Sequence, residues 1–142
     1  MSQLTLERAN HVISAALEKG AELKLKPLSV AVVDAGGHLI AFQRQDQASF
    51  GRLQIAQGKA AGALALGVSS RKVGDMAIER PWFIDAFAAS APHAIIPAAG
   101  GVILVGPDGA VIGAVGVTGD TSDNDEACAL AGIAAAGLTA QA

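Results

Sequence analysis

Two stretches of this chain read as an apolar run that turns back on itself, with helix-forming sequence before, between and after them. The first runs from Leu28 to Val33, turns through Asp34-Ala35-Gly36-Gly37 and returns over His38 to Arg44. The second runs from Val102 to Val105, turns at Gly106-Pro107-Asp108-Gly109 and returns over Ala110 to Val117. Asp, Pro and Gly in such turns supply a side-chain acceptor, a fixed φ and a positive φ. Tight turns join antiparallel strands, whereas parallel pairing needs a long crossover. The order helix, hairpin, helices, hairpin, helix therefore predicts an α+β fold, with one central antiparallel sheet of about five strands flanked by helices. Ala110 to Val117 is apolar on both faces, which marks a central strand covered on both sides. A short extra strand is expected near His93 to Ile96.

The helices carry their own punctuation. Thr5 suits the N-cap of a first helix over Leu6 to Leu23, with Glu7 in its first turn. Leu6, Ala9, Ile13, Ala16, Leu17 and Gly20 recur at helical spacing and form its expected inner face. A second helix is expected from Gly51 to Leu66, with Leu53, Ala56, Ala60 and Leu64 inward and Gly67 as its stop. Ser69 or Ser70 caps a short helix through Ile78, and Pro81 opens another over Trp82 to Ala89. Asp123 or Asn124 caps a closing helix that ends near Leu138. With 142 residues the chain makes a single domain over 1–142, because a second would have too little chain for its own core. The 31 alanines and 17 glycines bury little area each, so the core must gain from close backbone approach and from contacts between subunits. A homo-oligomer is the expected form.

Charge and cysteine content remove several classes of function. Net charge is −3 with no block of Lys or Arg, and aromatics are 4%. Nucleic-acid binding needs the opposite on both counts. The lone Cys128 excludes an intrachain disulfide framework and a cysteine zinc site, and reads as a small buried residue. Met1 to Glu7 has neither a basic start nor an apolar core, so no signal peptide is expected and the cytoplasm is the expected location. The longest apolar stretch, Ala94 to Val105, is too short to span a bilayer and contains Pro97, so no membrane partner is expected.

Ser29 to Arg44 reads SVAVVDAGGHLIAFQR, and this hairpin resembles the first hairpin of the GlcG/HbpS-like family. So do the helix carrying Gly58-Lys59-Ala60-Ala61, the Gly100-Gly101-Val102 start of the second hairpin, its return over Gly113 to Gly119, and the closing helix from Asp123 to Ala136. The resemblance covers nearly the whole chain. It implies a GlcG-like fold, similar to profilin-like α+β domains, and a homo-oligomer. Members include haem-binding and haem-degrading proteins, the C-terminal domain of PduO-type proteins and proteins encoded beside glycolate-use genes. One departure is local: the family commonly reads Gly-Gly-Val-Pro-Ile where this chain has Gly100-Gly101-Val102-Ile103-Leu104. The resemblance implies a small-ligand-binding oligomer, with haem as the ligand it offers. Two alternatives stay open: an enzyme of small organic acid or aromatic catabolism working by proton transfer or lyase chemistry, and a non-catalytic accessory subunit.

Several residues suit these roles. An imidazole nitrogen can ligate haem iron, and the chain has His11, His38 and His93. His11 falls on the polar face of the first helix and reads as solvated or at an interface. His38 follows the first turn, and His93 sits in a loop between Pro92 and Pro97. Phe42, Phe50, Trp82, Phe83 and Phe87 are the aromatics available for an apolar slot, with Trp82 and Phe83 expected at its rim. Gly100-Gly101 and the Thr118-Gly119 turn expose backbone N–H groups that bind a carboxylate or phosphate, or else serve turn geometry and close packing. Lys59 among small residues, with Arg44 and Glu79, forms the candidate catalytic set. In it Lys59 and Arg44 hold an anionic substrate, or Lys59 acts as a desolvated base, unless it is only a surface lysine. Asp120, Asp123, Asp125 and Glu126 lack the spacing of a calcium loop and read as acids favoured at a helix start rather than a metal site.

Overall fold

Thr5 opens the first helix as its residue type demands: its Oγ1 accepts the Arg8 N–H at 3.1 Å. The computed structural model describes residues 4–141; residues 1–3 and 142, at the ends of the expected domain, lie outside the described residues. The elements in order are α1 (Leu6–Glu22), β1 (Ser29–Asp34), β2 (Leu39–Arg44), α2 (Arg52–Leu66), α3 (Ser70–Glu79), α4 (Pro81–Ser90), β3 (Gly101–Val105), β4 (Val111–Thr118), α5 (Ser122–Ala135) and β5 (Thr139–Ala140). The five strands form one sheet in the order β2-β1-β4-β3-β5, with every pair antiparallel. Both expected hairpins are present, and β4 is the central strand.

The fifth strand is not where the sequence placed it. Thr139–Ala140 pairs with Val105 and Leu104, while 93–96 is irregular. Pro92 and Pro97 each lack a backbone donor, and the Ile96 N–H goes instead to the Gly58 carbonyl of α2 at 3.3 Å. The cap of α5 is also displaced. Thr121 Oγ1 accepts the Asn124 N–H at 3.2 Å, so neither Asp123 nor Asn124 is the capping residue. Gly67 ends α2 at φ 74°, Ser69 caps α3, and Pro81 is the first residue of α4.

The two faces of the sheet are built differently. Val30, Val32, Val102, Leu104, Val115 and Val117 pack beneath α1 and α5 with Val12, Ile13, Cys128 and Ile133 in one apolar cluster. The inner face of α1 includes Val12 and excludes Leu6, which is 59% exposed. On the other face α2 lies almost on the strand backbones. A Cβ at Gly116 would collide with the Ala56 carbonyl, and one at Gly101 with the Lys59 carbonyl. Gly58 and Gly62 on the outer side of α2 meet Ile96 and Ile95 of the 93–97 segment. This helix is thus covered below by the sheet and above by a loop, which buries its centre from Gly58 to Ala63 all round. Leu53 and Leu64, at its ends, are half-buried. Close approach of small residues, rather than side-chain bulk, holds this face together.

Candidate functional site

At the Ser29 end of β1 a charge passes through the molecule. Lys59 of α2 is 3% exposed. Its Nζ donates to the Val117 carbonyl and to Asp125 Oδ2, both at 3.0 Å. Asp125 is equally buried, and its other oxygen accepts the Asp120 N–H at 2.9 Å. Burial pushes Lys59 below the ordinary lysine range, and the facing Asp125 carboxylate opposes that push. The pair ties α2 to α5, across opposite faces of the sheet. Gly100 and Gly101 belong to the same packing. A Cβ at Gly100 would sit 3.0 Å from Lys59 Nζ, and the Gly101 N–H is already donated to buried Ser70 Oγ at 2.6 Å.

Beside this pair lies a cation the sequence reading missed. Arg52, at the start of α2, donates from Nη1 to Thr118 Oγ1 at 2.8 Å. Thr118 is 1% exposed. In the strand register Thr118 stands opposite Ser29, and Ser29 opposite Arg44. The signal was present: Arg52 and Lys59 are seven residues apart on one helix, hence on one face. Arg44 itself is exposed and borders a groove with Leu17, Gly20, Gln43 and Asp46.

The opposite end of β1 carries the imidazoles. Asp34 Oδ1 accepts the Gly36 and His38 N–H groups at 2.9 and 3.0 Å, which closes the turn. The bond from the His38 N–H holds the Asp34 carboxyl below its ordinary value. The His38 ring then projects outward with its side chain 75% exposed and Nδ1 3.3 Å from Asp34 Oδ1. The 91–100 loop brings His93 to it, with ring centroids 6.2 Å apart and planes near perpendicular at 84°. His38 borders an open depression of about 690 Å3 with Leu4, Asp34, Ile40 and Ile112. His93 borders a smaller hollow of about 230 Å3 with Gln54, Gln57, Gly58 and Ala94. Two imidazoles from segments far apart in sequence therefore meet at the hairpin tip. His11 is exposed on α1.

Trp82, Phe83 and Glu79 fall elsewhere. Trp82 and Phe83 stack edge to face at 6.1 Å on α4, and the Arg80 guanidinium covers the Phe83 ring at 4.6 Å. Glu79 ends α3 in an exposed position. The hollows at His38 and His93 are lined without these three.

The acidic run is spent on structure. Arg71 pairs with Asp123 and Glu126, and Asp125 holds Lys59. Among the described residues no group of three His, Cys, Asp or Glu side chains is placed to hold a metal ion. Cys128 is buried, and burial pushes its thiol up to about 11.

Asp120 accepts from Asn124 Nδ2, the Lys26 N–H and the Thr121 N–H at 2.8 to 3.0 Å. These bonds, that from Asn124 foremost, lower its carboxyl from 3.8 to about 2. A carboxyl lowered in the folded state stabilises the fold fully above its unfolded pKa and loses that contribution as pH falls through its folded one. Wild-type stability is therefore expected to drop between pH 3.8 and about 2 by more than that of Asp120→Asn. Urea unfolding across that window checks this; parallel curves for the two proteins would contradict it.

A protein-family model described as haem degrading protein HbpS-like matches residues 4–134. Solved structures agree with it. A crystal structure of a PduOC:heme complex aligns with TM-score 0.86 and 24% identity, over 99% of this chain and 100% of that one. HbpS aligns at 0.80 and 30%, over 94% and 90%. The Klebsiella pneumoniae protein ORFY aligns at 0.84 and 27%, over 96% and 93%. A search of the curated proteins finds no match. Among the described residues no helix is long and apolar enough to cross a membrane.

Proposed function

Because the chain belongs to the haem-degrading HbpS-like family, we propose that it binds a small planar ligand, haem foremost, at the tip of the β1–β2 hairpin. The observation that carries this reading is His38 at the edge of a depression walled by Leu4, Ile40 and Ile112, with His93 beside it. The residues fit the group. Apolar walls take a porphyrin face out of water, and a neutral imidazole supplies a nitrogen lone pair to iron. Asp34, close to Nδ1, favours the tautomer with the proton on that nitrogen and leaves Nε2 as the donor. Haem, when bound, brings the redox-active iron; the chain's own part is to hold it, orient it and exclude water.

Self-association accompanies this reading. Ile78 and Trp82 are 83% and 67% exposed on α3 and α4, and large apolar residues left in water favour burial against another surface.

Titration of the protein with hemin, followed at the Soret band, tests the proposal. A saturable shift is expected for wild type. His38→Ala is expected to abolish it, and Asp34→Asn to weaken binding by about tenfold through the loss of the carboxylate behind the ring. A wild-type spectrum identical to free hemin, or a shift that survives replacement of His11, His38 and His93 together, would overturn it.

A further inference from the structure

We propose that His93 is a positioning residue: its ring braces the His38 imidazole in the attitude in which that imidazole meets the planar ligand. This rests on the reading of His38 as the group that holds the ligand, and it gives His93 a part of its own.

The His38 ring needs a brace. Its side chain is 75% exposed, and an imidazole standing in water turns among several rotamers. Fixing such a side chain on binding costs affinity, and a ring already held in place avoids that loss. The hydrogen bonds of His38 tie down its backbone. Its N–H donates to Asp34 Oδ1 at 3.0 Å, and its carbonyl accepts the Asp34 N–H at 2.8 Å. The ring itself meets Asp34 Oδ1 at Nδ1, the bare flank of Gly36 and the ring of His93. The two imidazoles lie with centroids 6.2 Å apart and planes at 84°. That is inside the range of about 4.5–7 Å in which aromatic rings attract edge to face.

The brace is itself anchored. Pro92 and Pro97 flank the segment that carries His93 and fix its φ angles there. The Ile96 N–H donates to the Gly58 carbonyl of α2, and Ile95 and Ile96 press on Gly62 and Gly58. The His93 ring rests on Gly37, where a Cβ would sit 3.2 Å from its Cδ2 and Nε2. Gly37 has φ 85°, a conformation that favours glycine. The turn thus offers one bare Cα to each ring, Gly36 to His38 and Gly37 to His93.

Two observations separate bracing from a second ligand bond. The rings open on different hollows: His38 on the depression with Leu4, Ile40 and Ile112, His93 on the one with Gln54 and Gln57. The Nε2 edge of His93 is also turned onto Gly37. A planar ligand in the His38 depression is therefore met by one imidazole, and the other steadies it.

Wild type, His93→Ala and His93→Phe test this, the last keeping an aromatic ring without a nitrogen. In the absence of ligand, the three-bond side-chain couplings of His38 are expected to report a single χ1 rotamer in wild type and His93→Phe, and rotamer averaging in His93→Ala. Hemin affinity is expected to fall about three- to tenfold in His93→Ala, the worth of one aromatic pair, and to stay within about twofold of wild type in His93→Phe. The Soret maximum of the saturated complex should be the same in all three, because the group on the iron does not change. Averaged His38 couplings in wild type would overturn the proposal, whether or not hemin binds. So would unchanged affinity in His93→Ala, or equal losses in the two variants. A Soret maximum that moves in both would overturn it as well, since the His93 nitrogen would then be on the iron. Single-rotamer couplings in a wild type that binds no hemin would support the brace and contradict the haem reading.

Discussion

Lys59→Ala is expected to lower the stability of the fold by about 3–5 kcal/mol, the usual cost of removing one partner from a buried ion pair. The remaining Asp125 carboxylate is 2% exposed and would lose the cation it pairs with. Val117 would also lose the donor to its carbonyl. Asp125→Ala should cost a similar amount, because it strands the ammonium instead. Replacing both residues together, Lys59→Met with Asp125→Leu, should cost clearly less than the sum of the single changes, since neither charge is then left alone. Urea unfolding of the four proteins reads this cycle. Additive losses would show that the two groups do not act as a pair. Lys59 would then be the solvated surface lysine that its helix position alone allows.

Gly116→Ala is the second large effect. The added methyl would run into the Ala56 carbonyl and sit 3.2 Å from the Ala60 nitrogen, both of them α2 backbone. Neither side can yield cheaply: β4 is the central strand, and α2 is pressed from outside by Ile95 and Ile96. A loss of about 3 kcal/mol or more is expected, at the upper end for overpacking. Gly51→Ala is the matched control. Gly51 has φ −73° and open space where its Cβ would be. Its substitution should stay within about 0.5 kcal/mol of wild type. Equal melting temperatures for Gly116→Ala and Gly51→Ala would contradict the claim that backbone proximity, rather than glycine as such, is what the small residues provide.

The parts of the fold that could be read from sequence are those decided locally. Asp34, Gly36 and Gly37 are turn residues by chemistry, and they make the turn. Thr5, Gly67, Ser69 and Pro81 punctuate helices by side-chain type, and each does so at its expected place. Where several residues offered the same chemistry, local rules failed to rank them. From Asp120 to Asn124 every residue is a capping type, and Thr121 takes the role while Asp120 is occupied by the Lys26 N–H and Asn124. Thr139–Ala140 is too short for any periodicity; β3 and the Gln141 N–H bond to Ile103 create the strand.

The sites were legible as residue types and not as arrangements. His38 and His93 were both noticed, but their meeting depends on where the 91–100 loop crosses α2. Lys59 stood out as a cation among small residues. Those small residues proved to be the means by which α2 approaches the sheet, and the partner of Lys59 lies 66 positions away. Arg52 and Ser29 drew no attention, since an arginine at a helix start and a serine in a strand are ordinary. Only the register that sets Ser29 beside Thr118, and Thr118 under Arg52, makes them a group.

The central claim is that His38 presents its imidazole to a planar ligand at the hairpin tip. Long-range 1H–15N NMR of the histidine rings during titration with zinc protoporphyrin, which is diamagnetic, tests it most directly. The account predicts a large saturable shift of a His38 ring nitrogen, smaller changes at His93 and none at His11. A shift at His11 alone, or no histidine shift at saturating porphyrin, would contradict it.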